Sequence, residues 1–129
     1  MLSRRYAILE NVKIMVVDDD SGIRNFTVNA LTYCVNRKVL SFPDGAAAWD
    51  YIAEGGEVDI VISDVDMPEM NGFELLEKIK AKWADKIFIL MSGQETHAQK
   101  SETLGADAFL DKPFSINDLF KIVQFYVVD

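Results

Sequence analysis

The chain has 129 residues, so one domain is expected at roughly 100–200 residues per domain. It is 50% hydrophobic and 26% charged, and its acidic groups outnumber the basic ones by 21 to 13 for a net charge of −8, which argues against a surface that grips a nucleic-acid backbone. A single cysteine excludes an internal disulfide or a cysteine-based zinc site, a single histidine leaves little room for imidazole catalysis, and no apolar stretch approaches the roughly 20 residues of a membrane span. The expectation is a cytoplasmic protein of a reducing compartment that touches neither nucleic acid nor membrane.

Residues 1–12 read as an N-terminal arm carrying Tyr6, Ile8 and Leu9, and residues 13–129 as the domain. The first apolar run, Lys13–Val17, ends in Asp18-Asp19-Asp20. A helical pattern follows the start signal Ser21, with Ile23, Phe26, Ala30, Leu31 and Cys34 at the spacing of one helix face. Cys34 on that stripe reads as packing rather than a redox site. Next come the run Val39–Phe42 and a short helix near Ala46–Ala53, opened by Asp44 and closed by Gly55-Gly56. The run Val58–Ser63 ends at Asp64, and Asn71 with Glu74 three later opens a helix through Leu76, Ile79 and Trp83. Met67, Met70 and Met91 read as packing near the strand ends, and Trp49 and Trp83 as half-buried rings. The run Ile87–Met91 ends at Ser92-Gly93. The stretch Gln94–Leu104 is the weakest helix by periodicity, and His97 within it is expected to be exposed. After Ala108–Leu110 comes Lys112-Pro113, and Ser115 with Asp118 opens the last helix. That helix carries one apolar stripe, Ile116, Leu119, Phe120, Val123 and Val127, and much of a second in Ile122, Phe125, Tyr126 and Val128.

Five short apolar runs alternating with five amphipathic segments imply a parallel sheet covered on both faces, for which the doubly wound order 2-1-3-4-5 is the commonest at this length. In such sheets the site lies beyond the carboxyl ends of the strands. There the sequence collects Asp18-Asp19-Asp20, Asp64, Ser92 and Lys112. Two carboxylates about 4 Å apart repel by roughly 4 kcal/mol at a protein-surface dielectric, so several together call for a cation. Oxygen ligands without His or Cys favour Mg²⁺, with Mn²⁺ as the alternative. With Lys112 as a point charge for a phosphate oxygen, the set suits phosphoryl transfer to a carboxylate nucleophile. The blander alternative is a group of solvated loop acids, with Asp20 as a helix cap and Lys112-Pro113 as a plain turn.

The runs Met15-Val16-Val17-Asp18-Asp19-Asp20, Val61-Ile62-Ser63-Asp64-Val65-Asp66-Met67-Pro68-Glu69-Met70-Asn71-Gly72, Met91-Ser92-Gly93 and Asp111-Lys112-Pro113-Phe114 together resemble those of response-regulator receiver domains, over the chain from Lys13 onward. The resemblance implies a flavodoxin-like fold with the same strand order, so the topology expectation is not independent of it. It implies that Asp64 accepts a phosphoryl group from the phosphohistidine of a sensor histidine kinase or phosphotransfer protein. Asp18 and Asp19 would hold Mg²⁺, with Asp64 and the backbone carbonyl of Asp66 as further ligands. Ser92 and Lys112 would bind the phosphoryl oxygens, and Ser92 with Phe109, at a position often Tyr in the family, would form the switch. Asp66 and Gln94 occupy positions that tune the phosphoryl lifetime. The Lys112–Pro113 bond is expected to be cis. Such a domain switches the face formed by its fourth helix, fifth strand and fifth helix. It is no enzyme beyond weak phosphorylation from small donors and self-dephosphorylation.

Three rivals are weighed against this. Asp64-Val65-Asp66 resembles the Asp-x-Asp of haloacid-dehalogenase-type phosphatases, but that motif normally follows the first strand and ends in Thr or Val. A flavin-binding protein would want a Gly/Ser/Thr-rich loop where three aspartates stand. A phosphorylation-independent binding module would not need the full acidic pair, Asp64, Ser92 and Lys112. The second stripe of the last helix suggests a cover: a homodimer through that helix, a downstream output domain, or the N-terminal arm.

Overall fold

A computed structural model describes residues 12–35 and 38–127 of the chain. Strands and helices alternate throughout: β1 Ile14–Val17, α1 Ser21–Val35, β2 Val39–Phe42, α2 Gly45–Ala53, β3 Ile60–Asp64, α3 Gly72–Lys82, β4 Ile87–Ser92, α4 Glu95–Thr103, β5 Ala108–Asp111 and α5 Ile116–Val127. All five strands are parallel, in the order β2-β1-β3-β4-β5. This is the doubly wound, flavodoxin-like sheet with five helices that the sequence leads one to expect. The N-terminal arm through residue 11 and the side chains of Cys34 and Val127, with Val128, lie outside the described residues. Val12, assigned to the arm from sequence, is buried in the core.

The unbroken apolar runs have their cause in the two covered faces. Successive strand side chains point to opposite sides, so each residue of a central strand meets a helix layer. Ile14 and Val16 of β1 join Ile60, Ile62, Ile89 and Met91 in one buried cluster with Ala30 and Leu31 of α1 and Leu119 and Val123 of α5. Met15 and Val17 face the other way, into a cluster with Val61, Phe88 and Leu90, closed by Ala48 and Ile52 of α2 and Leu76 and Ile79 of α3. The polar residues of these strands, Ser63, Asp64 and Ser92, gather at their carboxyl ends.

Capping fixes where several helices start. Asp44 caps α2 by accepting from the Ala47 N–H, and Asn71 and Glu74 form a reciprocal capping box on α3. Ser115 and Asp118 exchange the same pair of bonds at α5. At α1 the cap is Asp20, whose Oδ1 accepts from the Ile23 N–H, whereas Ser21, read as the start signal, is the first helical residue. Trp49 and Trp83 are half-buried and face each other at 6.0 Å between ring centroids. On α5, Ile122 and Tyr126 of the second stripe pack against the core, and the Tyr126 hydroxyl donates to the Asp107 carbonyl. Among the described residues the exposed apolar part of α5 thus contracts to Ile116 and Phe125.

Candidate functional site

The strand registers bring the four polar ends into step. Val17 of β1 pairs with Ser63 of β3, Asp64 with Met91 of β4, and Ser92 with Asp111 of β5. The residues after β1 and at the ends of β3, β4 and β5 therefore emerge side by side over one edge of the sheet.

Asp18, Asp19 and Asp64 meet there, with one carboxylate oxygen from each within 4.8 Å of the others. Asp18 is fully buried, Asp64 is buried, and Asp19 is exposed at the rim. Asp20, the third of the run, faces α1 as its cap. Asp18 is held from several sides: its Oδ1 accepts from the Asp20 N–H at 3.0 Å, and its carbonyl accepts from the Arg24 guanidinium at 2.7 Å. Three acidic oxygens of this kind, one of them open to solvent, form a site suited to a hard divalent cation such as Mg²⁺.

Lys112 supplies the positive charge. Its Nζ lies 3.0 Å from Asp64 Oδ1 and 3.2 Å from Asp18 Oδ2, and its bond to Pro113 is cis. Burial alone would pull the ammonium pKa down, but the hydrogen bond and charge of Asp64, reinforced by Asp18, outweigh it and hold Lys112 above its ordinary value. Asp64 is shifted upward as well. Its burial disfavours the carboxylate more than Lys112 and the Val65 N–H favour it, and the nearby Asp18 charge adds to the rise.

The loops after β3 and β4 touch. Asp66 is exposed, and its Oδ2 accepts from the Gln94 side-chain amide at 3.3 Å, so the two positions singled out after Asp64 and Ser92 lie against each other. Phe109 on β5 is half-buried and packs against the second cluster. Ser92 is buried, and its Oγ accepts from the Gln94 backbone N–H at 3.1 Å.

Sequence reasoning passes over three contributors. His97, expected to be exposed, is half-buried; its Nδ1 is 2.7 Å from Ser92 Oγ and its ring sits edge-on to Phe73 with 5.2 Å between centroids. The signal was its place as third residue of α4, from which a side chain reaches back toward the residues before the helix. Arg24 stands one turn into α1, close enough to bond the end of β1. Gly72 opens α3 against the strand that carries Asp64: a Cβ there would run into the Asp64 carbonyl oxygen and lie 2.9 Å from Val65 Cα.

The family model for the response regulator receiver domain matches residues 14–124. A chemotaxis protein CheY homolog of Campylobacter jejuni is 35% identical over 108 residues, 81% of this chain and 83% of that protein. The DNA-binding transcriptional regulator NtrC of Rhizobium meliloti is 38% identical over 112 residues, 85% of this chain but 23% of that longer protein. Among solved structures, the chemotaxis response regulator CheY4 of Vibrio cholerae superposes with a TM-score of 0.81 at 28% identity, covering 90% of this chain and 98% of the other.

Proposed function

Because the chain belongs to the response regulator receiver domains of two-component systems, signalling modules rather than turnover enzymes, we propose that it works as a phosphoryl-accepting switch with Asp64 as the acceptor. The observation that carries this reading is the shared environment of Asp64: a cationic Lys112 at 3.0 Å on one side and the Asp18–Asp19 carboxylates on the other. An Asp64 oxygen attacks the phosphorus of a donor phosphohistidine, the P–N bond breaks, and the imidazole nitrogen leaves with the electron pair. Asp18, Asp19 and Asp64, with the carbonyl of Asp66, would hold Mg²⁺, which would neutralise phosphoryl charge. Lys112 leaves its ion pair with Asp64 to meet one phosphoryl oxygen, and Ser92 donates its hydroxyl to another. Phe109 follows Ser92, and the α4–β5–α5 face changes shape.

The donor is a sensor histidine kinase or a phosphotransfer protein. The output is a second copy through α5 or a downstream output domain of the sort that extends NtrC. The receiver unit takes in Val12, whose side chain is buried in the core. A cytoplasmic site of action fits the family, and no described helix is long and apolar enough to cross a membrane.

The test is labelling with acetyl phosphate. The native protein is expected to take up one phosphoryl group in Mg²⁺ and none in chelator, and Asp64→Asn none in either, since an amide is a poor nucleophile. Stoichiometric labelling of Asp64→Asn at an acid-stable site would overturn the assignment.

A further inference from the structure

The hydroxyl of Ser92 owns one proton and two lone pairs. One lone pair is taken by the Gln94 backbone N–H at 3.1 Å, and His97 Nδ1 stands at 2.7 Å, the short end of the range for a hydrogen bond. We propose that His97 is a positioning residue, a latch whose Nδ1 accepts a hydrogen bond from the Ser92 hydroxyl in the unphosphorylated domain and so competes with the phosphoryl group for that donor. The proposal rests on the role given to Ser92 above.

Three features make this bond a built contact. Ser92 is buried at the end of a central strand, so its hydroxyl has little water to turn to. The imidazole is fixed by packing, its plane at 89° to the buried Phe73 ring on α3, with Lys100 Nζ 4.6 Å from the centroid of that same ring. The backbone holds it too, since the His97 N–H donates to the Gln94 carbonyl and makes the first turn of α4 continuous with the loop that follows Ser92.

The chemistry follows from proton ownership. A phosphoryl oxygen on Asp64 can only accept, so Ser92 can bind it only by donating its proton. In the neutral Nε2–H tautomer, Nδ1 is also an acceptor, and the two acceptors exclude each other. Phosphorylation must then pull Ser92 off His97, which frees α4 from its strand-end anchor. The latch opposes activation until phosphate arrives, and it ties the release of α4 to the same proton that engages the phosphoryl group.

The experiment measures the affinity of the whole protein for beryllofluoride with Mg²⁺, a phosphoryl mimic, in native protein, His97→Leu and His97→Asn. Leu fills similar space without an acceptor, whereas the Asn side-chain oxygen stands close to where Nδ1 was. His97→Leu should bind about threefold to tenfold more tightly, as expected when one ordinary hydrogen bond is removed from only one of two competing states. His97→Asn should return to the native affinity. Imidazole ¹⁵N spectra of the native protein give an independent readout: Nδ1 unprotonated and hydrogen-bonded in the free protein, with that bond lost on adding the mimic. Unchanged or weaker binding by His97→Leu, a proton on Nδ1 in the free protein, or an imidazole signal that ignores the mimic would each overturn the latch while leaving the receiver reading intact. A native protein that binds no beryllofluoride at all would overturn both.

Discussion

Lys112→Met is the sharpest perturbation of the site because it removes a charge and keeps the volume. In the native protein Lys112 Nζ lies 3.0 Å from Asp64 and 3.2 Å from Asp18, each contact worth about 5 kcal/mol of attraction at an effective dielectric near 20. Desolvation cancels most of that gain, so the net value of the cluster is small while it stays whole. Without the ammonium, two carboxylates remain whose side chains are 0% and 10% exposed, with oxygens within 4.8 Å, a repulsion of at least about 3.5 kcal/mol at the same dielectric. Removing one partner of a buried ion pair costs about 3–5 kcal/mol in other proteins. Here Asp64 can relax by protonating and Asp19 admits water at the rim, so a loss of about 3 kcal/mol is expected at neutral pH in chelator. A divalent ion neutralises the same carboxylates, so saturating Mg²⁺ should recover at least half of the loss through linkage. Urea unfolding followed by the fluorescence of Trp49 and Trp83, with chelator or with Mg²⁺, measures both quantities. A loss below about 1 kcal/mol in chelator, or a loss of the same size in both conditions, would refute the reasoning from buried charge.

Further outcomes follow from the same geometry. Asp64 has a pKa raised above its ordinary 3.8 by burial, so the folded state holds its proton more tightly than the unfolded chain. Its stabilising contribution is complete below that value and is lost as pH rises through the folded pKa. In chelator, Asp64→Asn should therefore gain on the native protein as pH climbs from about 3.8, then level off; urea midpoints that track each other at every pH would contradict this. Asp66→Asn and Gln94→Ala both disturb the 3.3 Å contact between the loops, and each should change the dephosphorylation rate about twofold to tenfold, read from decay of labelled protein. Gly72→Ala should cost about 2 kcal/mol or more, because the new methyl meets backbone atoms of Asp64 and Val65 that have no rotamer to yield; a thermal midpoint equal to native would show that α3 can slide away from β3.

Much of this protein is legible along the chain because its information is local. Runs such as Val61-Ile62 and Leu90-Met91 are apolar at every residue, which only a strand covered on both faces requires, and Asn71 with Glu74 announces its own helix start. Right-handed crossovers then leave few strand orders, among which the family resemblance selects 2-1-3-4-5, and that order brings Asp18, Asp64, Ser92 and Lys112 to one edge. Tertiary structure decides what depends on distance and facing. Three consecutive aspartates are indistinguishable as letters, yet in the fold Asp18 is buried, Asp19 stands at the rim near Asp64 and Asp20 caps α1. The apolar count of α5 overstates its free face, because Ile122 and Tyr126 fall on the side that meets the core. Glu69 adopts a positive φ of 67° in the loop between β3 and α3, a conformation an L residue accepts only when its surroundings impose it. His97 looks solvated among Gln, Thr and Lys, and it becomes part of the site only because α4 starts against the end of β4 with Phe73 of α3 behind the ring. Composition and periodicity report which face a residue prefers; which partner waits there is set by how separate elements pack.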